Sequence, residues 1–235
     1  MPAAAPFVPA PTPQARVAMP SRWSADGWLL LRDEGGAPLS AGRPSYGRSQ
    51  IGAVLRYRIL PGSPHRPQLH LRASGALSGQ REQEAAAGVS ARPLPGAPLR
   101  LAAELRLTET SAGEEARAAL YAVSELPPVA LPLGLLGEAY LQAGYVTGRY
   151  ATGFVDGQAR VERGLAAPAG LHLRGGAGLW GGAQKGSERL DFGPTASASV
   201  RLGRLGARLA ADYRLRIAGN AQPASGPALT LSAGF

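Results

Sequence analysis

Arginines and carboxylates recur at alternate positions along this chain. In 205–217 one face reads Leu205, Ala207, Leu209, Ala211, Tyr213, Leu215 and Ile217. The other reads Gly206, Arg208, Ala210, Asp212, Arg214 and Arg216. The same split gives one set of charged positions: Arg56, Arg58, Arg72, Arg100, Arg106, Arg160, Arg174, Arg201, Arg208, Arg214 and Arg216. Glu104, Glu138, Asp156, Glu162, Asp191 and Asp212 share that face. Two chemistries fit. Unpaired, these arginines would focus a positive field on anionic solutes or polymers. Paired across neighbouring strands, they would form a structural ladder with the acids. Asp212 beside Arg214 and Glu104 beside Arg106 favour the ladder.

Catalysis has thinner support. His70 and His172 share the charged face with Ser and Asp residues, as a membrane-embedded hydrolase would need. No motif orders them, so the expectation is a non-enzymatic protein with no cofactor. Three His, no Cys and no ligand spacing give no metal site. The net charge of +9 rests on arginine, with Lys185 the single lysine. It is spread over strand faces without stacking aromatics, so no nucleic-acid partner is expected.

A period of two needs strands, because a helix would mix the two faces. Twelve strands are predicted over 22–32, 48–59, 66–77, 85–94, 98–108, 115–125, 133–146, 151–163, 169–183, 188–202, 204–217 and 227–235. Residues 1–20 read as a Pro/Ala-rich flexible tail, and 21–235 as the barrel. The tail does not read as a secretory signal, so an exported barrel implies a start or a further region upstream of Met1. The connections alternate between polar, mostly longer stretches and shorter turns poor in acids, as in an up-and-down meander.

The fold class expected is all-β: an up-and-down antiparallel transmembrane β-barrel of about twelve strands. Strands of this length match a bilayer, and only a closed barrel leaves no unpaired edge in lipid. Leu, Ala, Val and Ile would face outer-membrane lipid, with charged residues lining the lumen. The alternative is a soluble barrel or sandwich binding an acidic partner. Its wide interior would need bulky apolar groups that this Ala-rich sequence does not supply. Tyr57, Tyr121, Tyr145, Tyr213 and Phe235 have outward parity, as an interfacial girdle requires. The last strand places Leu229, Leu231 and Phe235 outward. A terminal aromatic there looks like the signal read by the barrel-assembly machinery.

The blocks "FVDGQARVERGL", "GAQKGSERLDFGP" and "RLAADYRLRIAGNAQPASGPALTLSAGF" resemble the C-terminal domain of the bacteriophage adsorption protein A family. The resemblance covers residues 150–235. It implies an outer-membrane β-barrel related to exopolysaccharide-export porins. A periplasmic helical-repeat region or a polysaccharide is the partner it implies. The function expected is a pore, an exopolysaccharide-export conduit or a surface phage receptor.

Overall fold

A computed structural model describes residues 21–32, 49–77, 82–110, 113–149 and 151–235. The expected tail over residues 1–20 lies outside the described residues. The strands are β1 (Trp23–Arg32), β2 (Gln50–Arg58), β3 (Gln68–Ala76), β4 (Glu82–Ala91), β5 (Leu99–Thr110) and β6 (Gly113–Ser124). Then follow β7 (Val129–Leu131), β8 (Leu135–Val146), β9 (Thr152–Ala166) and β10 (His172–Gln184). The last three are β11 (Ser187–Leu202), β12 (Leu205–Gly219) and β13 (Gly226–Gly234).

Each strand pairs antiparallel with its chain neighbours, except that β6 and β7 do not pair with each other, and β1 pairs β13. The pairing of β6 with β8 closes the ring. β7 is not an additional stave. Val123 of β6 faces Gln142 and Val129 of β7 faces Gly137, so β7 continues β6 along the same edge of β8. The break falls at 125–128, where Pro127 and Pro128 have no N–H for the ladder. The fold is therefore a closed antiparallel barrel of twelve strands.

The connections show why alternation alone misplaced some ends. β4 starts at Glu82, and β5 and β6 extend to leave only 111–112 between them. β10 starts at His172 rather than at 169. The polar connections that lie wholly among the described residues, 185–186 and 220–225, are thus no longer than those at the other end. Residues 185–186 and 203–204 are two-residue turns at opposite ends, each with a glycine at positive φ (Gly186 79°, Gly203 61°). The expected length asymmetry is absent among the described connections, because polar residues such as Glu82, Glu109 and Glu114 extend the strands.

Inside and outside follow from which side chains meet. Arg32 on β1 bonds Asp191 on β11, with β13 and β12 between them in the ring. Arg208 on β12 bonds Glu138 on β8, with β9, β10 and β11 between. Such contacts are possible only across the interior. The opposite face exposes Leu55, Leu71, Leu105, Leu120, Leu141 and Leu215 to the surroundings. A polar interior under an apolar exterior reverses a soluble barrel and matches a barrel that crosses lipid. The chain is a membrane barrel of the outer-membrane type, and its place is the bacterial outer membrane.

Candidate lumen site

Inward side chains group into networks held by particular strands. The first lies against β9 to β13 and β1. Asp191 accepts from Arg189 Nε at 2.6 Å and from Arg32 Nη1 at 3.1 Å. Asp212 accepts from Thr195 Oγ1 at 2.7 Å, Arg214 at 3.0 Å and Arg160 at 3.3 Å. Trp180 lies between two of these cations, 4.6 Å from Arg214 and 5.6 Å from Arg160. The indole needs room, and Gly178 provides it; a Cβ there would overlap the Trp180 ring. These charges are buried, which is tolerable only because each acid collects several donors.

The same arginines hold the β12–β13 loop. Arg189 donates to the carbonyls of Ala221, Pro223 and Ala224. Arg32 reaches Ala224, and Arg216 donates to Ala221 at 2.8 Å. Ala221 is 4% exposed and Pro223 is buried, so this loop folds into the barrel mouth instead of extending from it.

The second network lines β3 to β6. Glu104 accepts from Arg106 at 2.6 Å and Arg72 at 2.9 Å, and bonds the His70 ring at 3.1 Å. Arg72 also donates to Glu84 at 2.6 Å. Arg117 joins through Thr108 at 2.6 Å and Glu84 at 3.3 Å. Tyr121 donates its hydroxyl to Glu104 at 3.2 Å. This corrects its expected outward parity. Tyr121 registers with Ala102 and Gly144, both on the lumen face, and a Cβ at Gly144 would overlap it. β6 alternates mostly Ala with Ala, and only Arg117 at the parity of Tyr121, with Leu120 opposite, marks the two faces. Arg106 lies 5.8 Å from the rings of both Tyr121 and Phe154.

A third network joins β8 to β12. Arg208 bridges Glu138 and Glu162, each at 2.6 Å, and Ser197 donates to Glu162 at 3.0 Å. Arg174 stands 3.7 Å from Glu138. Near the termini, Arg100 and Arg92 both donate to Glu125 on the β6–β7 link. Burial alone would raise the Glu125 carboxyl, but these hydrogen bonds outweigh it and hold the group below its ordinary range.

The remaining inward positions are less engaged. Arg56 pairs with Asp26. Asp156 faces Gln142 and Gly182 and forms no salt bridge with a described residue. Neither does Arg58. Arg201, opposite Gly206, is exposed at the mouth near the termini, and so is His172. Leu229, Leu231 and Phe235 lie on the exposed outer face, with the Phe235 amide bonded to Ala25 O at 3.0 Å. Arg32, Glu84, Arg117, Arg189 and Trp180 complete the networks without having been singled out in the sequence. Parity with Asp191 would have found Arg189. Glu84 fell outside its predicted strand.

His70 is buried and bonded to Glu104, and no hydrogen bond joins it to a described serine. No three His, Asp or Glu groups gather as metal ligands among the described residues.

No protein-family model matches the chain, and no curated protein matches its sequence. Its shape is similar to several solved barrels. LpxR from Salmonella typhimurium shares 10% identity at a TM-score of 0.48, over 90% of this chain and 99% of that one. A KdgM porin shares 11% at 0.44, over 90% and 98%. An outer membrane channel from Pseudomonas putida F1 shares 14% at 0.43, over 96% and 99%. These are likenesses of outline; the closed ring rests on its own strand register.

Proposed function

We propose that this chain is a non-enzymatic outer-membrane channel with a narrow, charge-lined lumen that passes small hydrophilic solutes. The supporting observation is the meeting of charged side chains across the interior of a closed ring. Cross-lumen pairs are costly to bury dry, and the Arg208–Glu138 pair keeps 21% and 29% exposure, as in a wet conduit, while the Arg32–Asp191 layer is dry. The layer of Arg32, Asp191 and Arg189 holds the β12–β13 loop in the mouth, where solutes would have to pass it. Most lumen charge is paired, so ion selectivity is weak. The residual preference is for anions, set by Arg58 and Arg201, which lack acidic partners among the described residues, against the inward Asp156, which lacks a cationic partner among them.

Exopolysaccharide export and phage adsorption are finer versions of this role. They draw on the resemblance of residues 150–235, and export of a polymer requires the β12–β13 loop to move aside. Planar-bilayer recording tests the proposal. Small, ohmic, anion-preferring steps are expected. Silence at all voltages would leave the networks a purely structural role.

A further inference from the structure

The two rims of the barrel differ in charge and apolar content. The end where β1 begins and β13 ends, the terminal rim, also holds connections 59–67, 92–98, 125–134, 167–171 and 203–204. Each carries or adjoins an exposed leucine: Leu60, Leu94, Leu133, Leu165 and Leu202, with Leu133 at 83%. Exposed arginines stand beside three of them: Arg66, Arg163 and Arg204. None of the three forms a salt bridge with a described residue. Trp23 and Tyr57 pack at 4.8 Å on this rim, with Arg22 donating to the Tyr57 hydroxyl. At the opposite end the exposed charges Glu82, Glu109, Glu114 and Glu188 pair with no described cation and outnumber the described exposed cations there, Arg149 and Lys185. By the same measure the described part of that end has two exposed leucines, Leu31 and Leu77.

We propose that the terminal rim is a binding ring for anionic phospholipid headgroups. The leucines sit among acyl chains and the arginines contact lipid phosphates. The ring's distribution selects this occupant. Arg66, Arg204 and Arg163 lie at the β2–β3 turn, the β11–β12 turn and the end of β9, with leucines between them around the circumference. A docked protein covers one arc; a lipid monolayer meets every turn. Paired aromatics at the same level are the usual neighbours of headgroups. The acidic rim would be repelled by such lipids, so the terminal rim faces the leaflet rich in them. The inference rests on the barrel crossing a membrane and holds whether or not the lumen conducts.

The test folds the full chain into vesicles of phosphatidylcholine alone or mixed with phosphatidylglycerol. Urea unfolding is followed at matched ionic strength. With phosphatidylglycerol the folding equilibrium should rise roughly a hundredfold, about fivefold for each of the three arginines. The triple variant R66Q/R163Q/R204Q should fold equally well in phosphatidylcholine and lose that rise. The variant E109Q/E114Q/E188Q should keep it. Inorganic phosphate added to phosphatidylcholine vesicles should produce no rise; an equal rise would mean isolated anion sites and overturn the lipid ring. Equal stability of the unaltered chain in both vesicles, or a triple variant that still responds, would also overturn it.

Discussion

Asp191→Asn isolates the charge of one buried acid. The Asp191 side chain is 1% exposed, and its partners Arg32 and Arg189 are at 1% and 4%. Asn preserves shape and one acceptor oxygen but removes the negative charge. Two guanidinium groups then face each other in a layer that also contains Arg214 and Arg160. Breaking a buried ion pair costs about 3–5 kcal/mol. Because Asn still accepts a hydrogen bond, the lower figure applies, about 3 kcal/mol or roughly two decades in the folding equilibrium. With a urea dependence of about 2 kcal/mol per molar, the midpoint falls by about 1.5 M. Urea unfolding from vesicles, read by gel mobility and tryptophan emission, measures this directly. The double variant D191N/R189Q should recover part of the loss, since one stranded cation is removed. A midpoint shift below roughly 0.3 M, with no recovery in the double variant, would refute the view that Asp191 neutralises this layer.

Other consequences follow from the same contacts. Trp180→Ala removes the ring between Arg160 and Arg214 and should cost about 3–5 kcal/mol, measured by the same urea titration. Arg189→Ala releases three loop carbonyls and should raise single-channel conductance, with Arg216→Ala giving a smaller rise. Glu125 is held below its ordinary pKa, so its contribution is present above the unfolded-state value and disappears as pH falls through the lowered folded one. Glu125→Gln should therefore flatten the acid limb of a stability-versus-pH curve and leave the limb above neutrality unchanged. Phe235→Ser should reduce the outer-membrane fraction of the protein in cells, read by heat-modifiable migration; full insertion would separate the terminal aromatic from assembly.

The barrel was legible because one physical rule wrote it repeatedly. Strands that face lipid on one side and charge on the other need strict alternation, and β2, β3, β5, β12 and β13 carry it without exception in their outward leucines. β6 was legible as a strand, but its facing was marked only by Arg117 and Leu120, because Ala116, Ala118 and Ala122 say nothing against Ala119. Tyr121 shares the parity of Arg117, and its register with Ala102 and Gly144 turns it inward. The break at Pro127–Pro128 was visible as sequence, yet its result, one stave continuing as β7, depends on β8 offering an unpaired edge. Which arginine meets which acid was beyond sequence. Arg32 and Asp191 are 159 positions apart and meet only when closure brings them across the interior. The inward β12–β13 loop was hidden for the same reason. "NAQPASG" has loop chemistry in either direction, and it is Arg32, Arg189 and Arg216 from three strands that draw it in.

The central claim is the polarity of the wall, with leucines in lipid and charges inside. The chain has no cysteine, so single cysteines can be placed at will. A fluorophore at each position from Leu101 to Leu107 on β5, and from Ala118 to Val123 on β6, should report alternating environments in vesicles. A lipid-phase quencher should reach 101, 103, 105 and 107 on β5 and 118, 120 and 122 on β6. A water-soluble quencher should reach the intervening positions or none. Quenching by lipid at 104 and 121 with protection at 105 and 120, or no alternation at all, would contradict the account.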